Sequence, residues 1–250
     1  MPAIVPRCRP RDFSVPSGGV GRRSPDGSCA PPIGADYARS MGFAKLERAA
    51  LCAALDAVDP GAPTLCEGWN AHDLAAHLWL RENDPLSMPG MFLPALSGVT
   101  RSRTERLLRR WDYRELVDRI RRGPLPPSLF ALPGVDELAN TAEFFIHGED
   151  VRRANGDGPR VTTPAFENQV ARSLASMAKL FLRDAPSGIV LERSDTHERL
   201  RVLPGATTIT LVGVPSELLL FASGRMSVAE VRAIGDEADV AELYAHHQGM

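Results

Sequence analysis

The hydrophobic pattern of this chain changes its period once, and that change constrains the fold more than any other feature. Between residues 41 and 183 apolar side chains recur at helical spacing, as on the face that starts at Phe166 and ends at Phe181. After Pro186 apolar and polar residues alternate in short runs, which is typical of strands. The pattern therefore predicts a mainly α protein, in which a helical bundle is followed by a small α+β domain.

Composition divides the chain into three regions. Residues 1–40 are rich in Pro, Gly, Ser and Arg and lack apolar periodicity, so we interpret them as a disordered extension or as a segment upstream of a true start at Met41. Residues 41–185 form the predicted bundle. Residues 186–250 form the α+β domain, which we expect to dock on the bundle because roughly 60 residues bury little core alone.

Capping residues and breakers set the predicted element boundaries. Asn70 followed by Asp73 is typical of a helix start, and Gly123 of a helix end. The predicted helices are 41–58, 71–83, 101–122 with a break at Trp111-Asp112, 135–154, 164–183, 215–222, 227–233 and 236–247. The predicted strands are 189–193, 199–203 and 207–212. The Pro/Gly-rich connection at 84–100 is expected either to line a pocket or to serve as a plain packing loop.

Charge and cysteine content narrow the class of protein. The net charge is −2, which gives no reason to expect a nucleic acid or an anionic membrane as partner. The arginines of 101–110 predict a solvated helix face, with the rim of an anion site as the alternative. No apolar run is long enough for a membrane span or a signal peptide. Four cysteines without a CxxC pair favour a reducing cytoplasm.

One carboxylate and two imidazoles are candidates for a metal site. Glu143 and His147 lie one turn apart on one predicted helix, and His77 lies on the apolar side of another. Three protein ligands leave one coordination position open, as in catalytic zinc sites. Asp150 is either an acceptor for a ring N–H of His147 or a surface acid. Spacing alone also fits ordinary helices with His77 as a core residue.

Two sequence runs resemble a known family. The run Pro63–Leu78, with its Trp-x-x-x-Asp-Leu-x-x-His pattern, and the run Asn140–Arg153 are similar to the mycothiol-dependent maleylpyruvate isomerase family. That family is part of the broader DinB-like group of metal-binding four-helix bundles. The similarity covers about residues 41–185, and the run Leu218–Arg225 also resembles the family's small second domain.

The resemblance implies roles for individual residues. It implies that His77, Glu143 and His147 bind a divalent metal, usually zinc. The open position would then accept water or the thiol of mycothiol, the low-molecular-weight thiol of actinobacteria. Arg225 matches a Gly-Arg position suited to a substrate carboxylate, although a surface arginine after a helix-ending glycine is the plainer interpretation. Arg81, one turn beyond His77, is expected to face the cosubstrate pocket.

The expected function is that of a cytoplasmic metalloenzyme with mycothiol as cosubstrate. It would catalyse thiol transfer to an electrophile or a thiol-assisted isomerisation, and nothing in the chain specifies maleylpyruvate. A non-catalytic metal-binding scaffold or sensor is the alternative from another class. A structural bundle without metal is the third.

Overall fold

Helices account for most of the chain in this computed structural model, which describes residues 42–87, 97–126, 128–131 and 135–248. The helices are α1 (Phe43–Asp56), α2 (Ala71–Asn83), α3 (Ser97–Arg110), α4 (Tyr113–Arg122), α5 (Val135–Ala154), α6 (Pro164–Phe181), α7 (Pro215–Ala222) and α8 (Glu237–Gln248). The strands are β1 (Gly188–Arg193), β2 (Arg199–Leu203), β3 (Thr208–Gly213) and β4 (Arg232–Ile234). The interpretation of residues 1–40, with a start at Met41, lies outside the described residues.

The helical core forms where α1 packs along α5 while α4 contacts both α1 and α2. Leu51, Leu55, Leu74, Leu116 and Phe144 are fully or almost fully buried there. Burial of such side chains stabilises the fold by about 2 kcal/mol each, before the cost of ordering them is counted. This core holds α2 and α5 in fixed register, and these are the two helices that carry the candidate ligands.

The predicted caps fix where the helices start. Asn70 caps α2 through its side-chain oxygen, which accepts the Asp73 N–H at 2.9 Å, and the Asp73 carboxylate accepts the Asn70 N–H at 3.1 Å. The Asp112 side chain caps α4 by accepting the Glu115 N–H at 2.8 Å, and Gly123 ends α4 with a φ of 83°. Because the start of α2 is fixed, His77 faces the interior.

The C-terminal sheet has the strand order β2-β1-β3-β4. β1 and β3 are parallel, and β2 and β4 pair antiparallel at the two edges. Its core includes Ile189 and Leu211 from the strands, Leu174 from α6, and Phe145 and Ile146 from α5. Helix α5 therefore contributes side chains to both cores. The mainly helical fold with a small C-terminal sheet is as predicted.

Two boundary predictions are wrong. The segment predicted as a helix at 227–233 is a turn followed by β4, because the N–H of Glu230 donates to the Glu217 carboxylate at 2.8 Å instead of continuing a helix. Helix α3 begins at Ser97, so the end of the predicted 84–100 connection is helical. Elsewhere the ends differ by one or two residues. Within the described ranges, no helix combines the length and the apolar composition that crossing a membrane requires.

Candidate metal centre

Helices α2 and α5 bring the three predicted ligands together. His77 comes from α2, while Glu143 and His147 come from successive turns of α5. All three residues are buried, and His147 has no exposed surface. Their candidate ligand atoms lie within 4.8 Å of one another.

The geometry centres on one carboxylate oxygen. Oε1 of Glu143 is 3.5 Å from Nε2 of His77 and 3.4 Å from Nε2 of His147. The two imidazole rings meet edge to face, with centroids 5.4 Å apart. Two nitrogens and one oxygen at one point form the donor set preferred by zinc and similar divalent ions.

These three atoms lack the hydrogen-bond partners that buried polar atoms normally have. Nε2 of His77, Oε1 of Glu143 and Nε2 of His147 make no hydrogen bond within the described part of the chain, since none of their close contacts has hydrogen-bonding geometry. An unsatisfied buried polar atom costs about 1–3 kcal/mol. A divalent cation bound by all three would remove that cost, so the residues present fit a metal site.

Asp150 lies directly behind His147. Its Oδ2 is 2.9 Å from Nδ1 of His147, and neither side chain has exposed surface. Burial alone would raise the pKa of Asp150, but the charge of Arg225 and the contact with His147 hold that pKa well below its usual range. An ionised Asp150 accepts the Nδ1 proton, which leaves the lone pair of Nε2 directed at the centre.

Arg225 reaches Asp150 from the C-terminal region. Its Nε and Nη2 donate to the two oxygens of Asp150 at 2.7 and 2.6 Å, and Nη1 donates to the carbonyl of Ser223 at 2.6 Å. Arg225 has no exposed surface. This placement argues against the expected direct contact with a substrate carboxylate, and it excludes a surface arginine, because the guanidinium is enclosed behind His147.

Cys66 is a neighbour of the centre that sequence reasoning missed. Its thiol donates to Oδ2 of Asp150 at 3.1 Å and lies 3.9 Å from Nδ1 of His147. Burial and the adjacent Asp150 charge raise the pKa of this thiol. Cys66, His147 and Asp150 are close enough to form a second donor set. The Arg225 guanidinium, however, already supplies positive charge there, with Nη2 at 3.4 Å from Sγ.

Arg81 borders Glu143 on the other side of the centre. Its Nε is 3.2 Å from Oε1 of Glu143, it hydrogen-bonds Asn140, and it stacks over the Phe130 ring. Burial would raise the pKa of Glu143, but the Arg81 charge and the two histidines hold it well below the usual value. The carboxylate is therefore ionised and able to bind a cation. The expected contact of Arg81 with a cosubstrate stays a prediction.

Protonation differs between the two imidazoles. Burial lowers the pKa of His77 and favours its neutral, metal-binding form. For His147 burial acts in the same direction, but Asp150, Cys66 and Glu143 raise the pKa well above the usual value. A cation at Nε2 of His147 must therefore compete with a proton, which makes metal binding pH-dependent.

Comparisons with known proteins agree with the resemblance noted in the sequence. The model of the family described as "Mycothiol maleylpyruvate isomerase N-terminal domain" matches residues 46–88, a range that contains His77 but neither α5 ligand. The expectation of similarity to this family is thereby confirmed. No curated protein matches the chain.

Two solved structures are similar to the chain over most of its length. One is a crystal structure of the mycothiol-dependent maleylpyruvate isomerase, with 16% identity, 80% of this chain and 93% of that chain covered, and a TM-score of 0.45. The other is a histidine-to-alanine mutant with the same coverage, 15% identity and a TM-score of 0.46. At these TM-scores the likeness carries no part of the functional argument.

Proposed function

We propose that this protein is a metal-dependent enzyme that uses mycothiol as a cosubstrate. His77, Glu143 and His147 would hold the ion, and zinc suits their two nitrogens and one oxygen. The observation that carries the proposal is the convergence of three buried ligand atoms without hydrogen-bond partners. The family match supports mycothiol as the thiol.

The chemistry follows from the charges around the centre. A bound divalent ion keeps a coordinating thiol deprotonated at neutral pH. Glu143 offsets part of the ion's charge, and Asp150 keeps the Nδ1 proton on His147. The thiol sulfur, after losing its proton, would form a bond to an electrophilic carbon. Either the π bond of an activated double bond would break, with a proton taken up at the neighbouring carbon, or a leaving group would depart with its bonding electron pair. In a transfer the sulfur would stay on the product, and in an isomerisation the same carbon–sulfur bond would break again and return the thiol unchanged.

Burial favours a second candidate. Because all three ligand residues are buried, a non-catalytic metal-binding scaffold or sensor would also account for the donor set. The two candidates differ in whether a thiol reaches the fourth coordination position. The cytoplasmic location inferred from the cysteine pattern is part of the proposal for either candidate.

Metal analysis and a thiol-dependence assay test the proposal together. Tag-free parent protein should contain about one divalent ion per chain by plasma mass spectrometry, and His147→Ala should contain none. His197→Ala is the matched control, because this histidine lies in an exposed turn outside the centre. Turnover of electrophilic substrates that requires mycothiol would support the enzyme. Metal retention without any thiol binding would support the scaffold, and a metal-free parent that takes up no zinc would refute both.

A further inference from the structure

Three separate parts of the chain converge on the Asp150 carboxylate. His147 approaches from the same helix, Cys66 from the loop before α2, and Arg225 from the turn after α7. The loop is also tied to α5 by backbone, since Leu65 donates its N–H to the carbonyl of Asp150 at 3.1 Å. Both carboxylate oxygens are therefore occupied by donors, and the side chain is held in a single orientation.

The backbone of Arg225 is held by hydrogen bonds through both its N–H and its carbonyl. Gly224 adopts a φ of 90° that ends α7, and the Arg225 N–H then donates to the carbonyl of Leu220 at 2.9 Å. The carbonyl of Arg225 accepts the N–H groups of Val228 and Ala229. The backbone is thus anchored before the side chain reaches Asp150, so little conformational freedom is lost when the ion pair forms.

We propose that Arg225 is a positioning residue through which the C-terminal region completes the metal centre. Arg225 holds Asp150, Asp150 holds the ring of His147, and the ring directs Nε2 at the ion. The bundle supplies all three ligands, but the C-terminal turn fixes the orientation of one of them. This inference rests on the proposed metal site and replaces the substrate-binding role expected for Arg225.

The shape of the guanidinium is important for this role. Arg225 uses Nε and Nη2 against two oxygens of one carboxylate, a two-pronged contact that the point charge of a lysine cannot reproduce. Loss of groups that orient a ligand imidazole typically weakens metal binding about 10- to 100-fold. We expect a loss of this size for Arg225→Met and a loss of about tenfold for Arg225→Lys.

The test measures Zn²⁺ affinity by competition with a chromogenic chelator, together with the visible absorption spectrum of the Co²⁺ form. The variants are Arg225→Met, Arg225→Lys, Asp150→Asn and the Arg225→Met/Asp150→Asn double variant. Arg193→Met is the matched control, because Arg193 also forms an ion pair in the C-terminal region, but with Asp195. Thermal melting shows which variants fold, and if Arg225→Met does not fold, Arg225→Lys decides.

The double variant distinguishes positioning from general structural support. If Arg225 acts only through Asp150, adding Arg225→Met to Asp150→Asn causes no further loss of Zn²⁺ affinity. The Co²⁺ absorption bands should shift in Arg225→Met and Arg225→Lys but not in Arg193→Met. Parental affinity and spectrum in Arg225→Lys, or a full additional loss in the double variant, would overturn the inference.

A failure of the inference about Arg225 can be distinguished from a failure of the proposed function. A parent protein that binds neither Zn²⁺ nor Co²⁺ would remove the metal site itself. A parent that binds both, beside Arg225 variants that bind both equally well, would remove only the role of Arg225.

Discussion

The two nitrogens of His147 lie in opposite environments. On the Nε2 side, three buried ligand atoms meet without hydrogen-bond partners. On the Nδ1 side, Asp150 is fully satisfied by His147, Cys66 and Arg225. Both sides bring together potential metal ligands, and an arginine lies beside each. Oε1 of Glu143 lies 3.2 Å from Arg81 without forming a hydrogen bond, whereas Arg225 donates hydrogen bonds to both oxygens of Asp150. The difference indicates that proximity of ligand residues is not sufficient evidence for a metal site, and that buried donors without hydrogen-bond partners are better evidence.

Removal of a ligand on the Nε2 side should have the largest effect. We expect His77→Ala to lose bound metal and thiol-dependent turnover, because two remaining donors cannot retain the ion. The fold should persist, since the helical core lies around Leu51 and Leu74 rather than at the centre. Plasma mass spectrometry and circular dichroism measure both quantities. Full metal content in His77→Ala would show that the ion binds elsewhere.

Replacing the Asp150 carboxylate on the Nδ1 side by a neutral amide should weaken metal binding and lower the stability of the fold. Asp150→Asn leaves the buried Arg225 charge uncompensated, which typically costs about 3–5 kcal/mol. Zn²⁺ affinity should fall about 10- to 100-fold rather than being abolished. Urea unfolding of the metal-free forms and chelator competition measure the two effects. If affinity disappears as completely as in His77→Ala, Asp150 is itself a ligand and the two sides are not distinct.

The stability difference between the parent and Asp150→Asn should depend on pH in one direction. The folded-state pKa of Asp150 lies below its unfolded value, so its contribution is fully present above the unfolded pKa of about 3.9. It is lost as the pH falls toward the lower folded-state pKa. The difference in unfolding free energy between the two metal-free proteins should therefore be smaller at pH 3 than at pH 6. A difference that widens on acidification would contradict the assigned ionisation.

The smallest effect is expected at Cys66. Its thiol is only one of the donors to Asp150, so Cys66→Ala should reduce Zn²⁺ affinity a few-fold at most, and Cys66→Ser should keep the parental value because a hydroxyl also donates.

Burial raises the pKa of Cys66 and raises that of Cys52 to about 11. Both thiols should resist iodoacetamide at pH 8 in the folded protein, as peptide mapping would show. Rapid alkylation of Cys66 would mean that the Nδ1 side is open to solvent.

The sequence was sufficient for the parts of the fold that depend on local chemistry. The capping pair Asn70 and Asp73 predicts the start of α2, and helical spacing places Glu143 and His147 on one face. The helix predicted at 227–233 did not form, because the N–H of Glu230 donates to the carboxylate of Glu217, which is distant in sequence. Local helix propensity contains no information about such a tertiary contact.

The contacts of Cys66 and Arg225 with Asp150, behind His147, were not predictable for the same reason. Asp150 and Arg225 are far apart in sequence, and Gly224-Arg225 alone is typical of any helix end with an exposed arginine. Cys66 belongs to no ligand-spacing pattern, so nothing in the sequence relates it to His147. These contacts exist only once α7 and the loop before α2 have packed against α5.

Zinc K-edge X-ray absorption on the protein loaded with one equivalent of Zn²⁺, without added thiol, shows directly which side of His147 binds the ion. Cys8→Ser and Cys29→Ser should be included, so that Cys52 and Cys66 are the remaining thiols. We expect nitrogen and oxygen neighbours at about 2.0–2.2 Å, two of them imidazoles, and no protein sulfur. A sulfur neighbour at about 2.3 Å would mean that Cys66 or Cys52 binds the ion and would contradict the assignment.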